Sequence, residues 1–216
     1  PYSLNKNHIE LSPVKTTKLF LPKKNPYLPE NLSLLPDDTK PLERSSPDEN
    51  LRIWLDQDLE FQTPKANLYL RINFANALFT ATDRAFAQMY RSLVSDALSE
   101  SVYPAYLAGL GQQLSVSDTG YEVRLSGFSD KQLVLLETVM MKLTSTKIQP
   151  ARFQVLKSTL IRKWLNSSKD YPYRQTMNAA SEILVSNRWP STDLARITEN
   201  ITIKQLEEWK EQKFKG

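Results

Sequence analysis

The sequence contains no cysteine and a single histidine, His8, among 216 residues. Missing thiols exclude disulfides, thiolate nucleophiles and cysteine–zinc sites. One imidazole cannot supply the two ring nitrogens of a His-x-x-Glu-His zinc helix. His8 stands beside Ile9 and Glu10 in a proline-rich stretch, where an exposed linker residue is expected. Glycine is scarce, at five residues, and no phosphate-cradling loop or G-x-G-x-x-G occurs. Gly109 and Gly111 read as a helix terminus, and Gly127 as a strand end. No apolar stretch approaches the roughly 18 residues of a membrane span. There is no block of five like charges to form a polyanion-binding tail; 24 acidic residues are interspersed among 28 basic ones, for a net charge of +4. Pro1 rather than methionine opens the chain, so a processed or excised segment is expected, from which a lost leader would leave no trace.

What is present is enough for a sizeable core: 40% of residues are apolar and 24% charged, an ordinary proportion for one or two folded domains. Eight of the thirteen prolines fall within residues 1–50. Proline removes a backbone donor and restricts its predecessor, so this stretch is neither a helix nor a central strand. It nevertheless carries Leu11, Val14, Phe20, Tyr27, Leu28 and Leu32, more apolar residues than a disordered linker has. It reads as an ordered strap over residues 1–50, ahead of a globular region at 51–216.

From Leu51 the pattern changes. Leu51, Ile53 and Leu55 alternate with polar positions and Trp54, and Leu68, Leu70, Ile72 and Phe74 do so again; both runs predict strands with one buried face. Phe86, Met89, Tyr90, Leu93, Val94 and Leu98 make one stripe of a helix, with Thr82 as the expected N-cap and a break and restart at Pro104. Two strands around Asp118-Thr119-Gly120 predict a hairpin. Ser129 and Gln132 suggest a capping box, followed by a stripe of Leu133, Leu136, Val139, Met140 and Leu143. Pro150 suits the first turn of a helix whose face holds Phe153, Leu156, Leu160 and Trp164. A further helix carries Met177, Ala180, Ile183 and Leu184, and Thr202 with Gln205 form another box ahead of Leu206 and Trp209. The expected class is α+β: a layered antiparallel or mixed sheet with helices packed on one face.

No residue stands out as catalytic, cofactor-binding or metal-binding. Asp56, Asp58 and Glu60 lack the glycine and distal glutamate of a calcium loop and read as a solvated strand end. Arg162 and Lys163 beside Trp164 could suggest nucleic-acid binding, but Trp164 lies on the apolar stripe and core packing accounts for it better. Tyr103, Tyr106, Tyr171 and Tyr173 could line a peptide groove or be ordinary half-buried tyrosines.

Five segments taken together resemble one family. Leu21-Pro22-x-x-Asn25-x-Tyr27-Leu28-Pro29 is similar to the connector between the halves of pitrilysin/insulysin (insulin-degrading enzyme) zinc metallopeptidases. Phe61-x-x-Pro64-Lys65-Ala66, Tyr103-x-Ala105-x-Leu107-Ala108-Gly109-Leu110, Gly127-Phe128-Ser129-Asp130-Lys131-Gln132 and Arg152-Phe153 agree with it in order and spacing. The resemblance implies a linker plus the third, non-catalytic domain, with a mitochondrial-processing-peptidase/pitrilysin-like fold that is incomplete at its C-terminus. It implies zinc in a different domain of the parent protein, where metal-bound water would attack the peptide and a glutamate would act as base. No catalytic residue carries over to this chain. The expected role is chamber wall and inter-domain packing in an enzyme that degrades peptides. The expected partners are the other domains of the same polypeptide and its peptide substrates, without nucleic acid or membrane. An exposed sheet edge is expected to permit self-association. The family occurs in the bacterial periplasm and the cytosol, with the periplasm favoured here. The alternative is a free-standing binding or assembly module with the same fold and no proteolysis.

Overall fold

Alternating apolar residues over 65–73 and 120–128 set the centre of the domain. The computed structural model describes residues 23–34, 42–45, 50–78 and 80–215, with only the backbone described at 42–45. Strand β3 (Lys65–Asn73) pairs antiparallel with β5 (Gly120–Phe128), which pairs antiparallel with β4 (Gly111–Val116), in the order β3-β5-β4. The register places Leu68 opposite Leu125, Leu70 and Leu114 opposite Val123, and Ile72 and Val116 opposite Tyr121, all on one face. Helix α1 (Ala81–Leu107) and helix α2 (Gln132–Ser145) cover that face. The Tyr121 hydroxyl donates to the Ala87 carbonyl at 3.0 Å, and the Tyr90 hydroxyl to that of Leu143 at 2.7 Å, so sheet, α1 and α2 are joined through the core. Helices α3 (Pro150–Asn166) and α5 (Ser191–Glu199) pack on α1 as a further tier. Helix α6 (Ile203–Phe214) sends Trp209 and Phe214 into an aromatic cluster with Phe74, Tyr90 and Tyr121. Trp209 Nε1 donates to Asp83 Oδ1 at 3.0 Å, which fixes α6 to the first turn of α1.

Several sequence expectations hold and several change. Pro150 opens α3, and Thr202 and Gln205 form the capping box of α6. The N-cap of α1 is Thr80, not Thr82; its hydroxyl accepts from the Asp83 amide at 3.0 Å. Pro104 does not break α1, because it stands in the last turn, where only one upstream bond is forfeited. The helix ends three residues later: Gly109, at φ +79°, lets its own amide reach Tyr106 O and that of Leu110 reach Ala105 O, both at 3.0 Å, a Schellman closure. Ser129 starts a 3-10 turn (Ser129–Lys131) instead of capping α2. Gln132 turns inward, and this phase buries Leu135 while leaving Leu133 exposed. Helix α5 has no counterpart in the sequence reading. The run at 51–55 forms β2 (Arg52–Leu55), but among the described residues β2 pairs only with β1 (Leu42–Ser45), inside the proline-rich stretch, as a separate two-stranded sheet. Ile53, Trp54 and Leu55 therefore stay exposed. His8 and residues 1–22 lie outside the described residues.

The described part of the strap is docked. Tyr27 is buried, and its hydroxyl meets Thr138 Oγ1 on α2 at 3.1 Å. Asn25 Nδ2 donates to the Pro104 carbonyl at 2.7 Å. The amides of Glu30 and Asn31 donate to Asp130 Oδ2 at 2.8 and 3.3 Å, and Lys131 Nζ lies 3.0 Å from Glu30 Oε2. The two amides hold the Asp130 carboxyl below its ordinary 3.8, and Lys24 followed by Lys131 holds Glu30 below 4.5. Both carboxyls favour docking fully above their ordinary values, and the contribution is lost as pH falls through the depressed ones. Lys131 is raised above 10.5, chiefly by its bond to Glu30; its contribution is complete below 10.5 and lost as pH rises through the raised value.

Two outcomes follow. The Glu30 amide proton resonance should be steady from about pH 5 to neutrality and shift towards its random-coil position only below pH 3.8, as followed by NMR. Gln132 Nε2 donates to Ala66 O at 2.6 Å and Gly127 O at 3.0 Å, so Gln132→Leu leaves two carbonyls without this donor and should lower the unfolding free energy by roughly 1–3 kcal/mol in urea titrations.

Candidate interaction surfaces

Among the described residues nothing packs on the second face of the sheet. Tyr69, Arg71, Gln113, Ser115, Glu122 and Arg124 project from it by the strict alternation of their strands, and the register sets Tyr69 and Gln113 opposite Arg124, and Arg71 and Ser115 opposite Glu122. The Arg124 guanidinium lies 5.5 Å from the Tyr69 ring centroid, within cation–π range, and its Nε bonds Glu122 Oε1. Arg71 reaches Glu122 Oε2 at 3.9 Å. The Glu122 side chain is 16% exposed beneath guanidiniums that are 65% and 52% exposed, so the face presents positive charge. Arranged in this way it can accept carbonyls, carboxylates and aromatic rings of an extended chain, and it offers no nucleophile or paired acid and base.

Among the described residues two apolar surfaces are also uncovered. On the β1–β2 hairpin Ile53, Trp54 and Leu55 are exposed, with Phe61 following at 70%. An isolated two-stranded hairpin is only marginally stable, so such a surface calls for a neighbour. The second is helix α4 (Pro172–Leu184), which buries none of its residues.

The acidic trio does not converge on a cation site. Asp58 Oδ1 instead accepts from the amides of Glu60 and Phe61, at 2.9 and 3.2 Å, closing a turn. Among the described residues no group of His, Asp and Glu could hold a metal ion. Trp164 packs against the core, as expected, and Arg162 bonds within its own helix, to Ser158 O and Thr159 Oγ1. Tyr103, Tyr106, Tyr171 and Tyr173 are all exposed; Tyr171 stacks on Tyr173 with centroids 6.1 Å apart. A cavity of about 320 Å³ lies between α1, α3, α4 and α5, lined by Arg84, Gln88, Trp164, Asn178, Glu182 and Arg188 among others. Burial lowers the Arg84 pKa, with Asp118 opposing and Arg188 adding to the shift. Glu182 is the acidic residue of the lining, and Asp118, which is not part of it, lies 3.6 Å from the Arg84 guanidinium. The sequence reading missed the bare face and this cavity; alternation in β3 and β5 does mark the polar side, but not that it stays uncovered.

The family described as "Middle or third domain of peptidase_M16" matches residues 3–197. "Insulin-degrading enzyme-like 1, peroxisomal" from Arabidopsis thaliana is 35% identical over 179 residues, covering 81% of this chain and 18% of that protein. Insulin-degrading enzyme from Homo sapiens is 28% identical over 192 residues, covering 88% and 19%. The crystal structure of pitrilysin superposes with a TM-score of 0.80 at 21% identity, covering 90% of this chain and 21% of that one. The chain thus spans about a fifth of the length of these relatives. It belongs to the M16 peptidase family, as a middle or third domain.

Proposed function

We propose that this chain is a non-catalytic part of a zinc metalloendopeptidase that degrades peptides, in which it forms chamber wall and inter-domain packing surface. The observation that carries the reading is the uncovered, polar, positively charged sheet face in a domain of this family. A wall that contacts a passing peptide needs flat, solvated groups that hold a chain without trapping it. Tyr69, Arg71 and Arg124 are of that kind: each bonds a carbonyl or carboxylate, or stacks on a ring, weakly enough to release it. The apolar β1–β2 hairpin would pack against neighbouring domains. Zinc, the attacking water and the general base would come from another domain of the parent protein. With a single histidine and no cysteine, this chain has no zinc motif of its own to contribute. Where the parent works is left to its own targeting signals.

In the polypeptide translated from the complete reading frame, Tyr69→Ala combined with Arg124→Ser should raise KM for a fluorogenic peptide several-fold. It should leave kcat within about twofold and zinc content unchanged, the pattern of lost ground-state binding. Zinc-dependent hydrolysis by the purified 216-residue chain, or a fall in kcat with KM unchanged, contradicts the proposal.

A further inference from the structure

Helix α4 is an amphipathic surface helix that buries none of its residues. Its residues Asn178, Ser181 and Glu182 line the cavity against α1, α3 and α5, with Asn178 and Glu182 remaining exposed there. Its apolar residues recur at Tyr173, Met177, Ala180 and Leu184, a spacing of four, three and four that makes one stripe of a 3.6-residue helix. The large residues of that stripe are exposed, Tyr173 at 62%, Met177 at 65% and Leu184 at 81%, with Ile183 beside them at 84%, while Ala180 is half-buried. An amphipathic helix normally buries this side. Among the described residues nothing covers it.

We infer that α4 is a docking helix whose apolar stripe inserts into an apolar groove on another domain of the same polypeptide. The i, i+4, i+7, i+11 spacing is the signature of helix-in-groove recognition, in which large residues anchor and a small one, here Ala180, allows close approach. The occupant follows from the family: a middle domain is flanked by others, and relatives are about five times as long as this chain. The inference rests on the reading of the chain as a part of such an enzyme and adds the element that makes the contact. The ends of α4 suit the task. Tyr171 stacks on Tyr173 at the N-terminal end, and Arg174 is held by Asp170 at 3.5 Å, so the helix is presented as a braced rod.

Because the chain has no cysteine, a single introduced thiol reports accessibility cleanly. Leu184→Cys on α4 and, as a separate variant, Trp54→Cys on the hairpin are labelled with a maleimide and read by peptide mass spectrometry. The labelling is done in the 216-residue chain and in the polypeptide of the complete reading frame. In the short chain the thiol of Leu184→Cys should react at the rate of a free thiol, with the melting temperature unchanged, since the Leu184 side chain is largely exposed there. In the longer polypeptide it should react at least about tenfold more slowly, the mark of a buried stripe. Equal rates for the α4 thiol in the two polypeptides, together with slowing of the hairpin thiol in the longer one, overturn the role of α4 and leave the multidomain reading intact. Equal rates for both thiols overturn both. Slowing of the α4 thiol in the short chain as its concentration is raised shows that the stripe binds a second copy, and also overturns the inference.

Discussion

The arrangement depends on one close backbone approach. Gly127, at φ +115°, brings β5 against the end of α1 so tightly that a Cβ there would stand 2.2 Å from the Gly109 carbonyl oxygen. Gly109 itself adopts φ +79° to close the helix. Around this contact the segments that mark the family come together. Pro64 O accepts the Ser129 amide, Ala66 O accepts from Gln132, and the Pro104 carbonyl takes the Asn25 side chain of the strap. Asp130 and Lys131 hold Glu30 and Asn31. Stretches separated by up to about a hundred residues meet at one corner and pack together there.

The corner fixes the strap to α1 and α2 and sets the sheet so that one face is filled by helices and the other is left open. Exposed apolar residues on the hairpin and α4 then face away from the core. In a domain taken alone these surfaces would be liabilities. In the role proposed for this chain they would be the contacts that position it, and the open face would border the working space.

Much of this organisation is legible in the sequence, for physical reasons that differ by element. Period-two alternation in β3 and β5 and the Thr202–Gln205 box are local signals that the fold does not override. Thr82 reads as a cap as readily as Thr80 because both precede Asp83, and only the helix phase separates them. Gln132 has the spacing of a capping residue, but its side chain turns inward and its Nε2 donates to the distant Ala66 carbonyl and to that of Gly127, five residues back. Helix α5 is short and buries Thr198 beside Leu194 and Ala195, leaving little apolar periodicity to read. In α4 and β2 the apolar pattern is plain, but periodicity fixes only which residues share a face. Whether that face turns inward depends on partners, and the described chain supplies none.

The central claim is that strap and sheet form one structural unit through the Gly109–Gly127 corner. Native-state hydrogen exchange of the 216-residue chain in low denaturant tests it directly. The account predicts that the amides of Glu30 and Asn31 share an opening free energy with those of Gly109, Leu110 and Ser129, as members of one cooperative unit. If Glu30 and Asn31 exchange at unstructured-peptide rates while Leu110 and Ser129 stay protected, the strap is not part of the unit and the account is wrong.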